Sequence, residues 1–433
     1  MQTADAVVIG AGVLGTSIAH QLAARGRRVV VLDKAAAPGD GSSGASSAIV
    51  RFTYSTSAGT LAAWESADLW AHLRDHLAAP ADEVLPRLHR TGMVLLDAPV
   101  VPMATLEHHL AVAGVPYEWW DAADLRVALP GIETGRFYPP RPVSSDQFWD
   151  DPVGELRALV TPDAGYVDDP RLACASFAAA AARHGARLAF GTTVVAIDAQ
   201  VDDTWVVRAA DGEEYSAPVV VNAAGPWSAA VNALAGVGAD HTVTTRPLRQ
   251  EVHAVPAPRS LLAGGGQLPC LADPDLGIYV RPEPGGGLLI GGMEPACDPL
   301  EWVDDVDGAD PNRTVDGFER QVARAARRFP DLRVPTRPVG IGGVYDVTPD
   351  WTPVYDRSER PGFYLATGTS GNQFKNAPLV GVLLAELVDA VEQGHDHDAV
   401  PVQVRGGRTG LAIDLGAFSR RRPLATTGTG VLG

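Results

Sequence analysis

Apolar positions in the first forty residues fall into two continuous runs separated by an amphipathic stretch. VVIGAGVLG (Val7 to Gly15) reads as an apolar strand running into glycines. TSIAHQLAARG follows with helical spacing, and RRVVVLD is a second apolar strand ending at Asp33. Strand, helix and strand in that order predict a βαβ unit. Further along, LAAWESADLWAHLRDHL (Leu61 to Leu77) has helical periodicity, with Leu61, Trp64, Leu69, Leu73 and Leu77 as core positions and Thr60 as the candidate N-cap. TGMVLLDAP (Thr91 to Pro99) reads as a strand, and RLACASFAAAAARHGARL as an alanine-rich helix closed by Gly185. FGTTVVAIDA, DTWVVRAADGEEY and APVVVNAAGPWS predict a strand, a hairpin with an Asp-Gly turn, and a buried strand entering Gly225. IYVRPEPGGGLLIGG (Ile278 to Gly292) predicts a second hairpin. Gly362 to Val391 predicts a strand, a glycine-containing turn and a long apolar helix. Residues 130–165 are rich in proline, glycine and aspartate and read as a loop-rich insertion, either a lid, a partner surface or a wrapped loop.

The glycines of the first unit are spaced for chemistry. Gly10 makes the tight turn out of the strand, Gly12 lets the backbone approach a pyrophosphate, and Gly15 allows close packing of helix on strand. The helix N-terminus then faces negative charge, and Asp33 ends the second strand where a carboxylate can bond a ribose hydroxyl. The pattern predicts a dinucleotide site, against the plainer reading of a βα turn without nucleotide. By itself it does not separate FAD from NAD.

Composition narrows the partners. The chain has 433 residues, 46% hydrophobic and 20% charged, ordinary for a globular protein with two or three domains. A formal net charge of -17 argues against nucleic acid and against an anionic membrane surface. Cys174, Cys270 and Cys297 are widely spaced, so neither a disulfide framework nor a zinc site is expected. His72 and His76, four apart, and the His395 to Asp398 run read as solvated polar positions, and no metal is expected. No signal peptide or membrane span is read at the N-terminus, and a reducing, cytoplasmic setting is expected. Lys34 and Lys375 are the only lysines, and Lys375 survives in a glycine-rich segment.

Taken in order, VVIGAGVLG with Asp33, SSGASSAIVR, AGYVDDPRL, VVNAAGPWS, IYVRPEPGGGLLIGG, GVYDVTPDWTP, GTSGNQFKNAPLVG and the tail IDLGAFSRRR resemble the D-amino-acid oxidase-like flavoproteins, in the branch of sarcosine oxidases and dimethylglycine dehydrogenases. The resemblance implies an α/β fold: a Rossmann-like FAD-binding domain from discontinuous segments (1–95, 165–235 and 335–400) and a β-rich α+β substrate domain (96–164 and 236–334), with 401–433 as a C-terminal tail. The last ten or so residues of that tail are expected to fray.

The same resemblance assigns residues. The cofactor would meet Gly10, Gly12, Val13, Leu14, Gly15, Asp33 and Lys34, and the Ser42, Ser43, Ala45, Ser46 and Ser47 loop. It would also meet Val194 through its backbone, Gly225, Trp227 and Gly343, and the turn Gly371, Asn372, Gln373, Phe374 and Lys375. That turn would open the final helix, whose amides and positive end can stabilise charge on a reduced flavin, although an ordinary tight turn has the same composition. Arg51 and Lys375 would hold the substrate carboxylate, an arginine salt bridge being the plainer reading of Arg51. Tyr54, Tyr279 and Tyr345 match positions near the substrate and fit equally well as core tyrosines. Arg281 is a second carboxylate candidate, and Arg249 a weaker one.

Departures from the family pattern also carry expectations. Some members bond flavin covalently through a cysteine near Gly343 or a histidine in the Ser42–Ser47 region; neither residue is here, so FAD is expected to be non-covalent. Leu289 stands where sarcosine oxidases carry a lysine that assists oxygen reduction, which favours a dehydrogenase, or an oxidase using another cation. The expected activity is oxidation of the C–N bond of an amino or N-alkyl amino acid by hydride transfer to flavin, giving an imine that hydrolyses. The expected partners are a small amine carrying a carboxylate and oxygen or another electron acceptor. The alternatives are an oxidase of a larger secondary amine or cyclic imino acid, an FAD-binding subunit passing electrons to a partner chain, and an NAD-dependent dehydrogenase, which leaves the C-terminal motif unexplained.

Overall fold

A computed structural model describes residues 1–263 and 267–424. The first βαβ unit forms as strand Ala6–Ile9, helix Val13–Ala24 and strand Val29–Leu32, both strands buried at every position. They belong to a six-stranded sheet with the spatial order Arg187–Ala189, Val29–Leu32, Ala6–Ile9, Val219–Asn222, Phe363–Thr367, Val354–Arg357. The first five are parallel and the last runs antiparallel at the edge. Segments distant in the chain thus build one sheet.

Alternate residues of each strand divide between two cores, as the pleat requires. Ala6, Val8, Val29, Val31, Val219 and Val221 pack against the helices Val13–Ala24, Pro170–Arg183 and Ala377–Glu392. Val7, Ile9, Val30, Leu32 and Val220 pack on Trp205, Val207 and Tyr215 of a small four-stranded sheet. Both faces of the parallel sheet are covered, so its strands read as unbroken apolar runs.

The second large sheet has nine strands and is built on the long strand Arg246–Pro256. That strand pairs antiparallel with Gly287–Gly292 and with Gly340–Val347. In this register Gln250 opposes Gly343, Leu248 opposes Tyr345 and Val252 opposes Gly291, while Tyr279 opposes Gly291 and Arg281 opposes Leu289. These residues share one face. The other face, with Val255, Ile278, Val280, Leu288 and Ile290, packs on Phe318 and Val322 of helix Val315–Arg328.

Several local expectations are corrected. The helix read from Leu61 starts at Ser57, because Thr56 and not Thr60 is its cap: the Thr56 hydroxyl accepts from the Gly59 amide at 3.1 Å. It breaks at His72 before a short turn Leu73–His76. The 130–165 segment holds a strand, Ala158–Thr161, and part of it is pinned to the second sheet. Asp275 accepts from the amides of Phe137 and Tyr138 at 2.7 and 3.0 Å. Arg328, fully buried, bonds Asp273, Asp275 and the carbonyls of Glu133 and Gly135. Beyond residue 401 the chain forms a hairpin, Gln403–Arg405 with Ala412–Asp414. Arg420, also fully buried, then bonds Asp240, Asp356 and Asp398. The fraying expected of the last residues falls on 425–433, outside the described residues. Among the described residues no helix is long and apolar enough to cross a membrane.

Candidate functional site

The first glycine turn opens a cavity of about 720 Å³. Gly10 sits at φ +109°, and a Cβ there would lie 2.3 Å from the Ala223 carbonyl oxygen. A Cβ on Gly15 would lie 1.9 Å from the Gly10 oxygen, so helix and strand approach as only glycine permits. Gly12 is the N-cap of the first helix, and the Val13 amide donates to Ser43 Oγ at 3.0 Å. The helix N-terminus therefore faces the cavity lined by Gly10, Gly12, Val13 and Leu14. Asp33 lines it too, held by the amides of Ala11 and Ala35 at 2.5 and 2.7 Å.

Ser42, Ser43, Ser46, Val194, Gly225, Trp227, Gly371, Gln373 and Phe374 line the same cavity. Ser42 Oγ donates to the Val344 carbonyl, which ties this loop to the second sheet. Ala45 and Gly343 are outside the lining; a Cβ on Gly343 would stand 3.3 Å from that of Ala45, so this pair sets how closely loop and strand approach. Sequence reasoning missed Thr192 and Thr193, beside Val194, and Asp307. Asp307 pairs with Lys34 and accepts from Trp227 Nε1 at 3.0 Å, and Lys34 Nζ lies 3.9 Å above the Trp227 ring. Asp307 belongs to a segment assigned to substrate, and no local pattern marks it.

A smaller cavity adjoins the first and shares Ser46, Tyr345, Gly371 and Phe374 with it. Its lining brings together Arg51, Lys375, Tyr279, Ser47 and Asn372, with Ile49, Met93, Ala272 and Met293 as apolar walls. Arg51 and Lys375 are both buried. The Arg51 guanidinium lies 4.8 Å from the Tyr54 ring centre and Lys375 Nζ 5.0 Å from it. Arg51 also donates to the Thr53 carbonyl. Lys375 Nζ and Tyr54 OH both donate to the Asn372 carbonyl, at 2.6 and 2.8 Å. Burial, and next the Arg51 charge, hold the Lys375 ammonium well below its ordinary pKa. Burial likewise lowers that of Arg51 and pushes the Tyr54 phenol up to about 12. Two desolvated cations side by side make a site that an anion would stabilise.

The turn carrying Lys375 is fixed from behind. Ser66 Oγ and Trp70 Nε1 each donate to the Lys375 carbonyl at 2.7 Å, and Phe374 stacks on Trp70. Gln373 Oε1 accepts from Tyr355 OH and from Asn376 Nδ2. The expected start of the final helix is shifted: Phe374–Asn376 is a 3-10 turn, and the helix proper begins at Ala377. Tyr279 OH and Ser47 Oγ are 2.7 Å apart, and burial pushes the Tyr279 phenol up to about 12.

Two arginine candidates part company. Arg281 is buried on the cavity-facing side of the second sheet but outside both linings, stacked 4.3 Å from the Tyr166 ring centre and 3.5 Å from Glu283. Arg249 is excluded as a carboxylate ligand of these cavities. It lies on the opposite sheet face and is consumed by Glu251, Glu301 and the carbonyls of Asp310 and Asn312. The three cysteines are free thiols. Asp240, His241 and Glu359 are the one trio of grouped metal-ligand types among the described residues, and two arginines, Arg420 and Arg421, already occupy Asp240.

The larger cavity fits FAD: its size is that of a cofactor site, its glycines clear the backbone approach, and Asp33 and the helix amides supply an acceptor and donors. Comparison with known proteins agrees. Glycine oxidase of Geobacillus kaustophilus (strain HTA426) is 28% identical over 409 residues, covering 90% of this chain and 94% of its own. Its crystal structure superposes with a TM-score of 0.72 at 25% identity, covering 92% of this chain and 98% of that one. Human mitochondrial sarcosine dehydrogenase is 30% identical over 210 residues, which span 46% of this chain and 22% of that larger protein. The family model described as FAD dependent oxidoreductase (DAO) matches residues 5–387, and the chain belongs to that family of FAD-binding oxidoreductases.

Proposed function

We propose that the protein oxidises the C–N bond of a small amino acid or N-alkyl amino acid, giving an imine that water hydrolyses. The observation that carries this reading is the pair of buried cations, Arg51 and Lys375, lining a small cavity that shares Tyr345, Gly371 and Phe374 with the FAD cavity. A carboxylate between them offsets their repulsion and fixes the α-carbon at the wall the cavities share. FAD, when bound, supplies the acceptor for the hydride that leaves that carbon. Met93, Ala272, Met293 and Ile49 give the reacting end an apolar surround that excludes water. Tyr54 stacks on both cations and with Lys375 shares the Asn372 carbonyl, so it holds them in register.

Glycine and sarcosine are the substrates named for two relatives, and both are small amines carrying a carboxylate. For the acceptor, Leu289 favours transfer to something other than oxygen: it packs on the flavin-side core and carries no charge. The test is anaerobic reduction of the bound flavin by glycine, sarcosine and proline, followed by admission of air. Reduction without hydrogen peroxide on aeration supports a dehydrogenase or an electron-passing subunit; rapid peroxide formation supports an oxidase.

A further inference from the structure

We propose that Asp307 clasps the mouth of the FAD cavity by bridging Lys34 and Trp227, so that the cofactor leaves only when this bridge opens. The clasp does not depend on the reaction proposed above, and it gives Lys34 a role other than that of a phosphate ligand. Among the described residues Lys34 is the one lysine or arginine that lines the larger cavity, and a diphosphate is its obvious partner. Its charge is already engaged elsewhere. Lys34 pairs with Asp307, and its Nζ lies 3.9 Å above the Trp227 ring. Trp227 Nε1 donates at 3.0 Å to the same carboxylate oxygen, Asp307 Oδ1. Each of the three side chains meets the other two.

These residues come from different parts of the fold. Lys34 follows Asp33, the acid that marks the ribose end of the cavity. Trp227 ends the turn Gly225–Trp227, just after strand Val219–Asn222. Asp307 comes from the side of the second sheet, between strand Glu301–Trp302 and helix Val315–Arg328. That segment is tied to the sheet at both flanks. The Val303 amide donates to the Pro247 carbonyl at 3.0 Å, and Arg249 Nε donates to the Asp310 carbonyl at 2.9 Å. Between these ties the Asp307 amide donates to Asp305 Oδ1 at 3.1 Å, which fixes the turn that presents the carboxylate. All three side chains line the cavity, yet that of Asp307 is 70% exposed and that of Lys34 34%. Cavity walls that also meet solvent form a rim, so the bridge spans the opening. An exposed ion pair alone contributes little, but here the carboxylate holds a second donor and the ammonium a second, aromatic partner. Lys34 also offsets the Asp307 charge, which would otherwise repel the cofactor's phosphates.

The test is the rate of FAD release from the diluted holoprotein, followed by the rise in flavin fluorescence, in wild type, Lys34→Met, Asp307→Asn and the double variant. Asp307→Asn and Lys34→Met are each expected to speed release about three- to tenfold, and the double variant to go no faster than the quicker of the two. Trp227→Phe keeps the ring and loses the donor, so its rate is expected to fall between those of wild type and Asp307→Asn. Raising ionic strength from about 0.02 to about 0.5 M is expected to speed release from wild type and to leave Asp307→Asn nearly unchanged. Urea midpoints of the apoproteins are expected to match wild type. Release that Asp307→Asn slows or leaves unchanged overturns the proposal, because a lysine that grips phosphate is freed by loss of its acid. Rates that multiply in the double variant overturn it as well, because independent contacts do not share one bridge. So do wild-type release indifferent to salt and faster release that comes with a lowered urea midpoint in Asp307→Asn.

Discussion

The Arg51 guanidinium and the Lys375 ammonium lie against the same aromatic ring, that of Tyr54, at 4.8 and 5.0 Å. Burial and the neighbouring Arg51 charge hold the Lys375 pKa far down, so the free site penalises the ammonium form. A bound carboxylate reverses that preference. Carboxylate binding is therefore expected to take up close to one proton wherever the pH lies between the free and the bound pKa of Lys375. In that window the dissociation constant rises about tenfold per pH unit. Calorimetric titration with propionate in buffers of different ionisation enthalpy reads the uptake directly, and Lys375→Met is expected to remove it.

The same lysine bears on stability. Its folded pKa is depressed, so in the ligand-free protein the unfolded state binds more protons between the folded and unfolded values, and stability rises with pH across that interval. Denaturant midpoints with and without Lys375→Met, compared below and within the interval, are expected to converge as pH rises.

Gly371 tests the wall between the cavities. It sits at φ +68°, and a Cβ there would lie 2.2 Å from the Tyr345 ring. Gly371→Ala is expected to displace that ring and weaken FAD binding at least about tenfold, from backbone strain of about 1–3 kcal/mol plus the collision. Gly26→Ala is the control. It has φ +85° with nothing within 4 Å, so it should lower stability slightly and leave FAD content unchanged. Flavin absorbance per protein after dialysis reads both.

Much of the fold and the site was legible in the sequence because the relevant constraints are local. Gly10 and Gly15 are forced by backbone approach, and unbroken apolar runs follow from a sheet covered on both faces. Lys375 stood out as one of two lysines, and Arg51 by its place after a serine-rich loop. What escaped depends on tertiary register. Arg249 and Gln250 are neighbours in sequence yet face opposite sides of the second sheet, so the charged one is bound up with Glu251 and Glu301 and the amide one stands on the face of Tyr345. Asp307 reaches Lys34 across a long separation. The Thr60 cap failed for a smaller reason: another threonine, Thr56, stands one turn earlier with a free amide to bond.

Arg328 gives a stability prediction away from the cavities. With Asp273 and Asp275 it forms a fully buried ion trio that also ties down Glu133 and Gly135. Arg328→Ala leaves two carboxylates facing each other without a cation and is expected to cost about 3–5 kcal/mol. Urea unfolding measures the loss. A change under about 1 kcal/mol would mean that the trio is not the anchor of the 130–140 segment.

Carboxylate-anchored oxidation stands or falls on anaerobic bleaching of the flavin band by glycine, sarcosine and proline, in the wild type and in Arg51→Ala. Bleaching by at least one of them, slowed about a hundredfold or more at fixed substrate in the variant while FAD content is retained, is the expected result. Bleaching that Arg51→Ala leaves untouched, or a flavin that no amino acid reduces, would contradict it.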